Sequence, residues 1–119
     1  MLLFARPTKV PREWLREQRR LALSPGYLEA HLTALRSQVS LGGQREVLVD
    51  QLSFLKMPTL VVWGTRDRVF PKSQAREAVS RLRERSLALI PDCGHMPHLE
   101  CPDRFLAALD EFIGGRAKS

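Results

Sequence analysis

The sequence predicts an α/β fold in two parts: a helical segment over residues 1–55, then a parallel β-α-β-α unit over 56–119. Three observations lead there. Before residue 56, apolar residues recur at helical spacing and no strand pattern intervenes. From Met57 onward, two short apolar runs, 59–63 and 87–90, alternate with helical patterns. The connections are short, and strand–helix–strand connections of this kind make a right-handed parallel unit.

Pro11 is suited to opening a first helix, whose body includes Trp14, Leu15 and Leu21 among many charges. Ser24 followed by Pro25 reads as the N-cap and first turn of a second helix, in which Leu28, Leu32, Leu35 and Val39 share one face. Gly42-Gly43 breaks that pattern, and a weaker third helix carries Val47, Leu48 and Leu52. Thr59-Leu60-Val61-Val62-Trp63, between Pro58 and Gly64, reads as a strand buried on both faces. Pro71 starts a helix with Ala75, Ala78, Val79 and Leu82 on one side. Leu87-Ala88-Leu89-Ile90, stopped by Pro91, is the second buried strand. Pro102 and Asp103 open the last helix, with Phe105, Leu106, Leu109, Phe112 and Ile113 facing inward and Gly114-Gly115 ending it. Two parallel strands cannot shield their own faces and edges, so the unit is expected to need further strands, from missing sequence or from another chain.

Hydrophobic residues at 44% and charged residues at 27% fit a globular chain rather than a disordered one. The net charge of +6 raises nucleic acid as a partner. Its diffuse distribution, with no basic block interleaved with aromatics, argues against one. Arg81, Arg83 and Arg85 read as a solvated helix end. Cys93 and Cys101 are too few for a disulfide framework and lack metal-ligand spacing, so free thiols in a cytoplasmic chain are expected, with no metal and no cofactor. Residues 1–5 are apolar, but Arg6 and Pro7 cut them off well short of a signal-peptide core or a bilayer span, so no membrane partner is expected.

Loops at the C-terminal ends of parallel strands are where α/β folds place their sites. Asp67 follows the first strand and His95 follows the second, with one crossover helix between them, so both loops should share a rim. There the carboxylate can accept the imidazole Nδ1 proton, fix the tautomer and stabilise the imidazolium formed when Nε2 takes a proton.

At these residues the sequence resembles a known family. Pro58-Thr59-Leu60-Val61-Val62-Trp63-Gly64 with Asp67 and Pro71 is similar to the acid-bearing segment of the α/β-hydrolase fold. Pro91, Gly94, His95, Pro97, Glu100, Pro102 and Phe105 are similar to its histidine segment. The match covers about half the chain, and residues 1–55 look like the helical lid that the family inserts before the acid strand. The resemblance implies the C-terminal part of an enzyme acting on a small ester or related electrophile, with His95 as base and Asp67 as its orienting acid. The family's nucleophile sits in a G-x-S-x-G elbow upstream of the acid. No such elbow occurs here. The nucleophile, serine or in some branches aspartate, and the oxyanion donors would belong to the other half. The alternative is a non-catalytic remnant acting through self-association or a partner chain.

Other readings compete at each residue. An Asp in a strand–helix loop is commonly a turn residue. Asp92 is the rival acid, less well placed to orient a histidine on its own loop. Cys93 has no base on its correct side. His98 reads as a rim or structural histidine, His31 as a partly buried structural one, Trp63 as strand-end packing, and Glu100 as a cap of the last helix. The 59–63 edge carries neither proline nor charge to discourage pairing. Self-association by edge pairing or helix exchange is therefore expected in sedimentation at micromolar concentration. A single compact monomer would show instead that residues 1–55 close the core.

Overall fold

A computed structural model of the chain describes residues 3–6, 8, 10–40, 43, 44 and 48–115, and only the backbone over 38–40 and at 43 and 44. Two compact units emerge: the described residues of Met1–Val10 with those of Val49–Ser119, and those of Pro11–Leu48. This division differs from the one at residue 55 read from the sequence. Residues 3–6 leave the helical part because hydrogen bonds tie them to the segment after the second strand of the parallel sheet.

In the helical unit, α1 (Arg12–Ala22) has Glu13 in its first turn and Arg19 and Arg20 in its last, complementing the helix dipole. Pro11 precedes it in an extended conformation at φ −61°, the value its ring favours. The turn to α2 (Tyr27–Gln38) depends on Gly26 at φ +78°, a left-handed conformation open to glycine at little cost. Ser24 does not cap α2 with its side chain; its hydroxyl donates back to the Arg20 carbonyl at 3.2 Å. Leu28, Leu32 and Leu35 of the expected apolar face are exposed. So is His31, which lies against the Tyr27 ring at 4.3 Å between centroids rather than partly buried. The expectation of helices without strands fails at β1 (Val39–Ser40) and β2 (Gly43–Gln44), which pair antiparallel over two residues. Val39 thus pairs in a strand instead of continuing the helix.

In the other unit, Val49–Phe54 forms a short 3₁₀ helix in place of the third α-helix; Val47 lies outside the described residues. Asp50 on it pairs with Arg81 at 2.8 Å. Strands β3 (Thr59–Gly64) and β4 (Arg85–Ile90) run parallel, in register from Thr59 opposite Arg85 to Gly64 opposite Ile90. The second strand starts two residues earlier than its apolar run because Thr59 already pairs there. Between them, α3 (Lys72–Arg81) leads to a buried Leu82 and buries Ala75, as its spacing predicts. After β4 come α4 (Pro97–Glu100) and α5 (Pro102–Gly114), with Pro102 in the first turn of α5. On α5, Phe105, Leu109 and Phe112 are half-buried, whereas Leu106 and Ile113 are exposed. Burial of the strands on both faces is also incomplete: β3 is half-buried over Thr59–Trp63, and β4 is exposed over its first three residues. Two helices do not cover a two-stranded sheet. Among the described residues, no helix is long and apolar enough to cross a membrane.

The strand ends approach closely. A Cβ on Gly64 would stand 2.1 Å from the Gly94 carbonyl oxygen and 2.4 Å from that of Cys93, both backbone atoms. Gly64→Ala should therefore destabilise the unit by about 3 kcal/mol or more, because the loops must part to admit a methyl group. Urea unfolding followed by circular dichroism measures this, and a loss below about 0.5 kcal/mol would show that the loops yield freely.

Candidate active site

Beyond the strands, the two loops are stitched together by their backbones. The Thr65 N–H donates to the Ile90 carbonyl at 3.0 Å, and the Arg66 N–H to the Cys93 carbonyl at 2.8 Å. The Asp92 N–H donates to Thr65 Oγ1 at 3.0 Å. These bonds fix the positions from which Asp67 and His95 extend.

Asp67 uses its two oxygens differently. Oδ1 accepts the N–H groups of Val69 at 2.8 Å and Phe70 at 3.0 Å, a side-chain turn that shapes the loop. Oδ2 lies 2.9 Å from His95 Nδ1. An ionised carboxylate only accepts, so Nδ1–H donates and Nε2 is left with its lone pair when the ring is neutral. The Asp67 side chain is 4% exposed and that of His95 31%. Burial pushes the Asp67 carboxyl up, but the hydrogen bonds from His95, Phe70 and Val69 outweigh it and hold the pKa below its ordinary value.

His95 is held on other sides as well. Its backbone N–H donates to the Leu3 carbonyl at 2.9 Å, and its ring meets Phe70 edge-on at 5.4 Å between centroids. Beside the pair lies a cavity of about 150 Å³ lined by Val62, Trp63, Gly64, Asp67, His95 and Pro97. A wider groove of about 500 Å³ at the opposite strand ends, bordered by Pro58, Leu60, Arg85 and Phe112, contains neither residue of the pair.

The remaining candidates fall elsewhere. Asp92, the rival acid, adopts φ +53° and pairs with Arg66 at 2.7 Å and Arg6 at 3.7 Å. Cys93 is fully buried, and burial, followed by the neighbouring Cys101 thiol and the Glu100 carboxylate, pushes its pKa up to about 12. A thiol so protonated at neutral pH is no nucleophile. His98 is exposed and meets Phe105 edge-on at 6.1 Å. Trp63 is half-buried, its Nε1–H donating to the Phe70 carbonyl at 3.4 Å. Among the described residues, no group of three His, Cys, Asp or Glu side chains could hold a metal ion.

Glu100 is the residue that sequence reasoning misplaced. It does not cap α5; it is buried and accepts backbone N–H groups from Ala5, Arg6 and Gly94. Two of those partners lie more than ninety positions away along the chain, and only the apolar setting of Glu100 between Leu99 and Cys101-Pro102 hinted at burial.

The model of the Alpha/beta hydrolase family matches residues 2–108. This chain belongs to that family. Its architecture is a partial α/β-hydrolase fold. Among curated relatives, the dihydrolipoyllysine-residue acetyltransferase component of the acetoin cleaving system of Cupriavidus necator is 35% identical over 115 residues, covering 96% of this chain and 30% of that protein. The pimeloyl-[acyl-carrier protein] methyl ester esterase of Nitrosomonas europaea is 30% identical over 99 residues, 82% of this chain and 36% of the esterase. The chain thus spans about a third of the length of these relatives. Among solved structures, a serine hydrolase involved in carbazole degradation superposes with a TM-score of 0.76 at 23% identity, over 88% of this chain and 40% of the other, and bears on the fold alone. A thermophilic esterase from Thermogutta terrifontis is 31% identical with a TM-score of 0.56, covering 60% of this chain and 26% of its own.

Because the folded pKa of Asp67 lies below its unfolded value, its stabilising contribution is present above the ordinary carboxylate pKa of about 3.9 and is lost as pH falls through the depressed folded value. Asp67→Asn removes that titration. The stability difference between wild type and variant should therefore be largest near neutral pH and shrink on acidification below about pH 4. Urea midpoints across that range measure it; a difference that widens in acid would discount these hydrogen bonds as the cause.

Proposed function

We propose that Asp67 and His95 are the acid and general base of a hydrolase site whose nucleophile and oxyanion donors come from residues outside this chain. One observation carries the reading: Asp67 Oδ2 meets His95 Nδ1 at 2.9 Å beside an open cavity, with the carboxylate's other oxygen already committed to its own loop. The partner oxygen is thus immobilised, and a fixed acceptor on Nδ1 is what makes Nε2 a directed base.

In the complete site, a serine hydroxyl would attack the carbonyl carbon of a small ester while its proton passes to His95 Nε2. The imidazolium would then return that proton to the leaving alkoxide as the carbon–oxygen bond breaks. Water would repeat the sequence and restore the serine. Asp67 stays ionised throughout and stabilises the imidazolium. Relatives named as ester hydrolases support an ester as substrate class. Helices α1 and α2 would serve as lid helices.

Exposed Leu87 on β4 and exposed Phe54, Met57 and Phe70 beside the strands favour a second reading, in which the chain pairs with a copy or a partner and carries out no chemistry. Imidazole ¹⁵N shifts separate the two. At about pH 8.5, where an ordinary imidazole is neutral, His95 should hold the Nδ1–H tautomer in the wild type and lose that bias in Asp67→Asn. A wild-type ring distributed between tautomers would favour the second reading. The isolated chain should hydrolyse activated esters negligibly, because the nucleophile and oxyanion donors carry much of the rate enhancement. Turnover abolished by His95→Ala would overturn the external origin of the nucleophile.

A further inference from the structure

We infer that Glu100 is a positioning residue for His95, a buried carboxylate that fixes the histidine loop by binding, among the described residues, backbone donors alone; this rests on the reading of His95 as base. The Glu100 residue is 5% exposed. Its Oε2 accepts the Gly94 N–H at 2.7 Å and the Ala5 N–H at 3.0 Å, and its Oε1 accepts the Arg6 N–H at 2.8 Å.

These bonds reach His95 along two routes. Directly, Gly94 precedes His95, so the bond at its N–H sets the peptide from which the histidine Cα departs. Indirectly, the His95 N–H donates to Leu3 at 2.9 Å, and the segment containing Leu3 is itself held by Glu100 through Ala5 and Arg6. The packing leaves no slack: a Cβ on Gly94 would stand 2.5 Å from the Ala5 nitrogen and 2.8 Å from Glu100 Oε2. Phe4, between the tethered residues, is fully buried.

The chemistry demands a carboxylate. All three partners are donors, and an ionised carboxylate offers acceptors alone, whereas an amide turns an NH₂ group against at least one of them. Burying the charge is tolerable because charge-assisted bonds replace its hydration. A helix cap would need none of this reach. The N-terminus of α5 has no side-chain cap, and the Glu100 carboxylate instead binds the distant 5–6 segment and Gly94.

The test is the His95 tautomer in Glu100→Gln, with folding checked by circular dichroism. The folded variant should lose most of the Nδ1–H bias, although Asp67 is untouched. Arg6→Ala, which removes a side chain but keeps the N–H, should behave as wild type. Should Glu100→Gln fail to fold, Arg6→Pro deletes one donor and leaves the carboxylate in place, and it should weaken the bias in the same direction. A merely structural role predicts lower stability with an unchanged tautomer. A folded Glu100→Gln or Arg6→Pro that keeps the wild-type tautomer overturns the inference and leaves the acid–base reading standing. A wild-type chain without Nδ1–H bias removes both.

Discussion

Two parallel strands end level with each other at Gly64 and Ile90, and beyond them the chain approaches itself backbone to backbone. Everything at the site follows from that approach. With no side chain at Gly64 or Gly94, the Cys93–Gly94 peptide can lie against the end of β3, and the bonds from Thr65 and Arg66 can close. The loop carrying Asp67 and the loop carrying His95 are thereby one object rather than two. A loop displacement of 1 Å would separate a carboxylate and an imidazole now at 2.9 Å beyond useful hydrogen bonding.

Two buried carboxylates then divide the work of holding that object. Asp67 takes two backbone N–H groups on one oxygen and the imidazole on the other. Glu100 takes three backbone N–H groups and no side chain in the bonds that define it. The turn reading and the acid reading of Asp67 therefore do not compete. Committing Oδ1 to the turn removes the rotational freedom of the carboxylate and leaves Oδ2 aimed at one target. Removing a buried acceptor of this kind leaves donors unpaired, at about 1–3 kcal/mol each, so replacing either carboxylate by a neutral isostere is expected to cost stability.

Local and short-range features were legible in the sequence. Period and proline placement located β3, α3, β4 and α5, because each is a contiguous pattern bounded by Pro or Gly. The position of Asp67 and His95 after successive strands implied their meeting, since parallel strands carry both loops to the same edge. The docking of residues 3–6 was not legible: a short N-terminal segment states nothing about where it lies, and it contributes only backbone N–H and C=O groups to these bonds, which leave no side-chain signature. Glu100 was misread for the same reason, its partners being peptide groups. Leu106 and Ile113, expected to face inward, and Leu28, Leu32 and Leu35, expected to share one apolar face, are exposed because periodicity reports a stripe and not what covers it.

That last failure and the success at the site have a common origin. Hydrogen bonds satisfy groups pairwise, so a handful of named partners within this chain suffices to complete them. Apolar burial is collective and needs enough neighbouring mass to exclude water from a whole face. The described chain supplies the first and falls short of the second: buried polar side-chain atoms are all partnered, while Phe54, Met57, Leu106 and Ile113 remain more than half exposed. The acid–histidine pair is consequently ordered by contacts local to the unit, and bringing Asp67 and His95 together does not depend on covering the open sheet and helix faces.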